Sequence, residues 1–313
     1  MRAIPMDSDL EIVELPVPEP GPAEVQIEVR AAGVNRADLL QAAGHYPVPE
    51  GANRILGLEA AGHISAVGPG VDASLIGRGV AALLDGGGYA EYVTVPVTQI
   101  RLLPDDADLT LAAARPEALC TAWLNLVQLG NLQRGETVLV HGGSGGVGHV
   151  AIQMAHAMGA TVLTTCGSEE KARWCEELGA AVGIDYHGDV VGAVNGATGG
   201  RGVDVILDVL GAGGLQPNLE MLAHGGRITV IGLQKGRVGE LDVNMLMGKR
   251  ASITGSRLRQ IGLREKAVVV SGATSFSDRV SAHVDATVPF EDARRAHELM
   301  DAPETRGKIV LTL

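Results

Sequence analysis

No uninterrupted apolar run in this chain of 313 residues approaches the roughly 18 residues that a bilayer-spanning helix requires, so no membrane span is expected. The opening MRAIPMDSDLEIVEL carries acids where a signal peptide would need its apolar segment, which makes the cytoplasm the expected location. Cysteine is scarce. Cys120, Cys166 and Cys175 form no C-x-x-C pair, and an odd number cannot complete a disulfide framework, so all three are expected to be reduced and packed. Basic residues are outnumbered, 25 Lys and Arg against 37 Asp and Glu, giving a net charge of −12. Nucleic acid, which demands clustered cations, is therefore not an expected partner. The local exception is Lys249 to Lys266, with six basic residues and the single acid Glu265; such a run is as readily a solvated face as a site. Internal repeats and low-complexity tracts are lacking as well. A hydrophobic content of 46% with 20% charged residues is that of a folded globular chain, and the length accommodates two domains.

The first hundred residues read as β-rich. VQIEVR (Val25 to Arg30) alternates apolar and polar as a half-buried strand should, and Pro16, Pro18, Pro20 and Pro22 forbid regular pairing before it. Further strands are expected at Gly62 to Val67, Gly79 to Leu84 and Glu91 to Val95, with a short helix over Asn35 to Ala42. From about Leu119 the pattern becomes strand, loop, helix. Strands are expected at Thr137 to His141, Thr161 to Cys166, Val203 to Leu207, Arg227 to Ile231 and Ala251 to Gly255, with helices at Gly148 to Met158 and Glu169 to Leu178. That alternation predicts a doubly wound parallel sheet. A helix over Phe290 to Met300 and a strand over Lys308 to Leu313 close the chain.

The most informative stretch is VLVHGGSGGVGHVAIQMAHAMGA, from Val138 to Ala160. Gly143, Gly145 and Gly148 fit G-x-G-x-x-G between a strand and a helix, the context that makes this otherwise weak pattern a dinucleotide fingerprint. One glycine permits the tight turn, one lets backbone approach a pyrophosphate, and one lets helix and strand pack closely. The helix N-terminus then meets the phosphates with free N–H groups and its positive dipole end. About 20 residues on, NAD-selective folds place an acid at the end of the second strand to grip the ribose 2′-hydroxyl. Here that strand ends in Cys166, Gly167 and Ser168, and Lys171 follows. A neutral, hydroxyl-bearing turn with a lysine suits a 2′-phosphate, so NADP(H) is the expected cofactor. Glu169 and Glu170 at the helix start are expected to face solvent.

With these features in place, the chain resembles the zeta-crystallin-like NADPH:quinone oxidoreductases of the medium-chain dehydrogenase/reductase superfamily, and in particular the p53-inducible quinone oxidoreductase group. The motifs that carry the likeness are AAGVNRADLL (Ala31 to Leu40), GHYPVPEGANRILGLEAAG (Gly44 to Gly62), GGGYAEYV (Gly86 to Val93), TAWLNL (Thr121 to Leu126), VLVHGGSGGVG (Val138 to Gly148), GVDVILDVLG (Gly202 to Gly211) and GKIVL (Gly307 to Leu311). The resemblance implies an α/β fold: a GroES-like β-rich catalytic domain (1–118 and 257–313) joined to a Rossmann NADP(H)-binding domain (119–256), with the active site in the cleft between them. It implies a pyrophosphate loop at Ser144, Gly145, Gly146, Val147 and Gly148. Gly167, Ser168, Lys171 and Tyr186 would surround the adenosine 2′-phosphate. Gly211, Ile231, Gly232, Leu233, Gln234, Ser256, Arg257 and Leu258 would complete the cofactor site towards the nicotinamide. Asn35 and Tyr46 would face nicotinamide and substrate, supplying hydrogen bonds to a developing oxyanion.

Zinc-dependent alcohol dehydrogenases of the same superfamily need Cys and His ligands and a lobe of four closely spaced cysteines. At the corresponding places this chain has Asn35 and Leu58, with Glu59 retained, and no metal is expected. Without zinc nothing strong polarises a simple ketone, whereas a quinone is already electrophilic, so the implied activity is NADPH-dependent quinone reduction by hydride or single electrons. An NADPH-dependent reductase of enoyl thioesters or enones is the alternative, and a non-enzymatic NADPH-binding protein a more distant one. The family turn G-D-R-V stands as Gly77-Arg78-Gly79-Val80, Arg115 interrupts an apolar run, and Ser271 to Asp285 looks shortened. A homodimer is expected, with Ala251 to Gly255 pairing across a two-fold axis.

Overall fold

The computed structural model describes residues 1–46, 51 and 53–313. Among these, the chain divides into two units, one made of Met1–Cys120, Arg259–Ser275 and Ala282–Leu313, the other of Thr121–Leu258 and Phe276–Ser281. The division falls two residues beyond each boundary read from the sequence, and it moves Phe276–Ser281 to the second unit. Gln153 draws that segment in, donating from Nε2 to Ser281 O at 2.9 Å and accepting from Ser281 N–H at 3.0 Å.

In the first unit, β1 (Arg2–Ala3) and β2 (Val13–Glu14) form a small antiparallel pair. There follow β3 (Glu24–Val34), α1 (Arg36–Ala42), β4 (Glu59–Val67), β5 (Gly79–Leu83), β6 (Tyr92–Pro96), β7 (Ile100–Leu102) and α2 (Leu109–Ala113). Strand β3 runs on through Ala31–Val34, past the end that its alternation suggested. Alternation stops there because both faces are buried. Ala31 packs with Ala61, Ala81 and Ala113, while Ala32 and Val34 pack with Phe290 and Ile309. The alternating part, Val25, Ile27 and Val29, packs with Ile64, Val80 and Val93.

The chain passes through α3 (Pro116–Trp123) and a π-helical turn at Leu124–Leu129 into the second unit. Its strands are β8 (Thr137–His141), β9 (Thr161–Cys166), β10 (Val182–Asp185), β11 (Val203–Asp208), β12 (Leu222–Val230) and β13 (Ser252–Gly255), with α4 (Gly148–Ala157), α5 (Glu169–Glu177), α6 (Val190–Ala197), α7 (Ala212–Met221) and α8 (Val243–Lys249) between them. The sheet is parallel throughout, ordered β10-β9-β8-β11-β12-β13, as a doubly wound fold requires. Leu139, Leu163, Ile206 and Ile228 fill its core.

The tail supplies α9 (Leu263–Thr274), β14 (Val284–Pro289), a 3₁₀ turn at Phe290–Asp292, α10 (Ala293–Asp301) and β15 (Lys308–Thr312). β15 pairs antiparallel with β3, placing Ile309 opposite Val34, and so completes the first unit's sheet in the order β14-β15-β3-β4-β5-β7, with β6 also on β3. Among the described residues no helix is long and apolar enough to cross a membrane. The three cysteines are buried and unbridged.

Candidate functional site: a dinucleotide cradle and a buried polar centre

The loop after β8 holds Ser144, Gly145, Gly146, Val147 and Gly148 where the fingerprint puts them. A Cβ at Gly148 would lie 2.1 Å from Gly142 O, and one at Gly143 would lie 1.9 Å from Thr164 Oγ1, so close packing excludes any side chain at either position. A Cβ at Gly145 would meet nothing nearer than Gly142 O at 3.3 Å; that glycine leaves its outer side open. Helix α4 begins at Gly148 with Val147 as N-cap and no side-chain cap, and His149 N–H donates back to Gly145 O at 3.1 Å, which ties the first turn to the loop. Beneath the loop, His149 is fully buried, its Nδ1 2.9 Å from Gly145 O and its ring stacked on Trp174 at 6.1 Å. It is a packing residue of the loop.

At the end of β9, Gly167 lies against Tyr186, whose Oη would be 2.7 Å from a Cβ there. Ser168 caps α5, accepting from Lys171 N–H at 3.3 Å. Tyr186 is 53% exposed, and Glu169 and Glu170 face solvent. Gly167, Ser168, Lys171 and Tyr186 are therefore gathered at the tips of β9 and β10. Cys166 Sγ lies 3.4 Å from Cys175 Sγ behind this turn.

Gly211, with φ +74°, opens α7. Its loop is zipped to Ile231–Gln234 by backbone bonds from Ile231 N–H to Asp208 O at 2.8 Å and from Gln234 N–H to Val209 O at 3.1 Å. A Cβ at Gly232 would meet Val209 O at 2.6 Å. Ser256 donates to Asn125 Oδ1 at 2.8 Å, Leu258 is buried and Arg257 is exposed.

Sequence reasoning passed over the polar chain that holds these loops. Asp208, wholly buried, accepts from Leu210 N–H, Gly211 N–H and Asn218 Nδ2 at 3.1, 2.9 and 3.1 Å. Asn218 Oδ1 meets His141 Nε2 at 2.7 Å, and His141 Nδ1 meets Thr165 Oγ1 at 3.0 Å. Burial lowers the pKa of His141, whose Nε2–H donates to the amide oxygen of Asn218. The signal was present: His141, Thr165 and Asp208 are polar residues at or beside the C-terminal ends of apolar strands, where ligands bind in open parallel sheets. Asn125, fully buried in the π-helical turn, was missed too.

The first unit holds a second constellation around Glu59, which is 0% exposed. Lys308 Nζ, at 1% side-chain exposure, donates to Glu59 Oε1 at 2.6 Å and to Asn35 Oδ1 at 2.5 Å. Asn35 Nδ2 donates to Glu59 Oε1 at 3.0 Å and to Gly33 O at 3.4 Å, and Glu117 N–H donates to Glu59 Oε2 at 3.0 Å. Asn35 thus turns its amide inward, as a member of a buried centre. A Cβ at Gly33 would lie 2.2 Å from Glu59 Oε1, which explains the glycine in AAGVN. This donor set does not suit zinc, since the ammonium of Lys308 and the Asn35 amide already take Glu59 Oε1 and no cysteine or histidine joins them. Among the described residues no group of three or more His, Cys, Asp and Glu could hold a metal.

Beside this centre, Asp38 accepts from Asn35 N–H at 2.8 Å and from Gly57 N–H at 3.2 Å. Burial pushes its carboxyl up to about 7. Tyr89 Oη lies 3.4 Å from Asp38 Oδ2 and 3.3 Å from His297 Nε2. Burial holds His297 down, to about 4, and pushes the Tyr89 phenol well up. Tyr46 is half-buried, its ring 6.0 Å from the Arg259 guanidinium. Within GHYPVPEGANR, residues 47–50 and 52 lie outside the described residues.

Known proteins match this arrangement across both units. Residues 21–105 fit the alcohol dehydrogenase GroES-like domain, and residues 146–270 fit the zinc-binding dehydrogenase family. The 2-haloacrylate reductase of a Burkholderia species is 33% identical over 312 residues, covering 95% of this chain and 93% of that protein. The phthioceranic/hydroxyphthioceranic acid synthase of Mycobacterium tuberculosis is 36% identical over 229 residues, 72% of this chain, but the match spans only 11% of that much longer protein. Among solved structures, the Escherichia coli quinone oxidoreductase complexed with NADPH superposes with a TM-score of 0.87 at 28% identity, over 100% of this chain and 99% of that one. The GroES-like sheet, the parallel dinucleotide sheet and the full-length match to a reductase place this chain in the medium-chain dehydrogenase/reductase superfamily, as an oxidoreductase.

Proposed function

We propose that the chain is a zinc-independent, NADPH-dependent reductase of quinones, in the zeta-crystallin-like group. The observation that carries this reading is the Glu59 centre, where Lys308 and Asn35 stand in place of a metal-binding set. With no site built there for a Lewis acid, the acceptor must be electrophilic already. The cofactor reading rests on the glycine cradle and on the turn at Gly167 and Ser168, which offers a hydroxyl and Lys171 but no carboxylate at the strand tip. When bound, a reduced nicotinamide supplies the hydride. The chain's own part is to cradle the pyrophosphate, to fix the loops around Gly211 and Ser256, and to present the Tyr46 hydroxyl to the oxygen that becomes negative.

Oxidation of NADPH and of NADH, each with phenanthrenequinone and with crotonyl-CoA, tests the proposal. Turnover of NADPH with the quinone alone is expected. Turnover of the thioester alone would move the protein to a second reading, reduction of activated C=C bonds, which the full-length likeness to a 2-haloacrylate reductase favours. Lys171→Ala is expected to weaken NADPH binding about tenfold and to leave NADH unchanged, the loss of one charge-assisted contact to the 2′-phosphate. Equal effects on both cofactors in a fluorescence titration would remove Lys171 from the phosphate site.

A homodimer is proposed through β13, the edge strand of its sheet. Val238, in the loop after β12, and Val243 and Met247, in α8, are 87, 59 and 71% exposed, an apolar surface that a second chain would cover. Light scattering is expected to give the mass of two chains, and Ile253→Pro, which removes a donor on the side of β13 turned away from β12, the mass of one. A monomeric unmodified protein would refute it.

A further inference from the structure

The basic run Lys249 to Lys266 does not form one surface. Lys249 Nζ caps a carboxyl-terminal turn, donating to Glu220 O at 2.7 Å and Leu222 O at 2.6 Å, and Arg257 and Arg264 are exposed. Arg259 and Lys266 are instead buried, at 5 and 1% exposure. The Arg259 guanidinium is fixed edge-on by Asp85 O at 2.8 Å from Nε and by Gln41 Oε1 at 2.6 Å from Nη1, with Nη2 also on Asp85 O and on Asn53 O. Its Cζ lies over the Tyr46 ring, 6.0 Å from the centroid. Lys266 Nζ backs it, donating to Arg259 O at 3.3 Å and to Asp85 Oδ1 at 2.5 Å. Asp85 is the carboxylate in direct contact with this pair, Asp38 acts on Arg259 through space, and the neighbouring Arg264 and Glu265 are exposed and of opposite sign. Two buried cations against one contacting carboxylate leave a net positive field under a phenol.

We infer that Arg259 is a positioning residue for Tyr46, a cationic plate that holds the ring and stabilises the phenolate left when Tyr46 gives its proton to the reduced substrate. In that step the Tyr46 O–H bond breaks, an O–H bond forms on the substrate oxyanion, the electron pair stays on the Tyr46 oxygen, and water returns the proton. The inference rests on the donor role proposed above for Tyr46. Cation–π attraction and Coulomb attraction both strengthen when the ring carries charge in a partly desolvated site.

The test is a tyrosinate absorbance titration. The chain has four tyrosines, so the unmodified protein minus Tyr46→Phe isolates Tyr46. Its midpoint is expected about one pH unit below the ordinary tyrosine value of about 10, and to rise by about as much in Arg259→Met. Quinone turnover in Arg259→Met is expected to fall about tenfold in kcat with the KM for NADPH unchanged, and Tyr46→Phe added to it is expected to cost little more. A Tyr46 midpoint at or above about 10 in the unmodified protein overturns the inference, with no need for the Arg259 variant to fold. A lowered midpoint alongside fully active Tyr46→Phe overturns the proton transfer and, separately, the donor role on which it rests.

Discussion

Lys308→Met is expected to destabilise the protein by about 3–5 kcal/mol, a fall in Tm of roughly 10 °C. The reason is what the change leaves behind. Glu59 is wholly buried, and its Oε1 holds the Lys308 ammonium at 2.6 Å. Without that ammonium, the charge of Glu59 keeps only Asn35 Nδ2 and Glu117 N–H as donors among the contacts described above, and neither carries opposite charge. Proximity to Gly33, where even a Cβ would clash with Glu59 Oε1, prevents the carboxylate from swinging towards water through that side. The cost belongs to the unpaired charge, not to the worth of the pair, and the second variant separates the two. Glu59→Gln combined with Lys308→Met removes both charges and is expected to recover at least half of the loss. Equilibrium unfolding of the two variants decides it. A single variant within 1 kcal/mol of the parent, or a double variant no better than the single, would show that the pair is not what holds this centre.

Much of the frame was legible because its periodicities are strong. β8 and β9 begin and end where the apolar, β-branched runs do, and α1 starts directly after Asn35. β3 was read short because AAGV, buried on both faces, carries no alternation to follow. β12 was read short at its other end. Its pairing with β11 jumps from Val203–Leu222 to Val205–Arg227, and the Gly225-Gly226 pair inside it reads as a turn. The cradle was legible because glycine chemistry is local: each glycine answers to atoms within a few residues or on the adjacent strand. The Glu59 centre was only half visible. Glu59 and Asn35 drew notice, but the group that completes them is 249 residues from Glu59, in the tail motif GKIVL, and no local pattern marks that lysine as buried. Arg259 was hidden by its neighbours, since a run of cations reads as one surface until the fold buries two of them. Asn125 and Asn218 were unreadable for the same reason, as their partners come from other elements.

The stability of the first unit is expected to depend on pH through Asp38 in the sense opposite to an ordinary buried carboxylate pair. Its pKa stands at about 7, raised from 3.8 first by burial, against the opposing effects of the Asn35 N–H bond and Lys308. Between about 4 and 7 the folded chain therefore keeps a proton that the unfolded chain has lost. The contribution of Asp38 is full below that window, falls as pH rises through it, and is lost above about 7. His297, held near 4 by burial, works the other way: between about 4 and its ordinary 6.5 the unfolded chain binds the extra proton, so stability rises with pH. The two slopes largely cancel in the parent. Asp38→Asn removes one of them. It also loses an acceptor for either Asn35 N–H or Gly57 N–H, a cost that does not vary with pH. The difference in unfolding free energy between parent and variant is thus expected to change by up to about 1.4 kcal/mol per pH unit across the window, while the variant alone becomes more stable from pH 4 to 6.5. Urea unfolding at a series of pH values measures both. Parallel curves would mean that Asp38 is ionised throughout, with its backbone donors and Lys308 outweighing its burial.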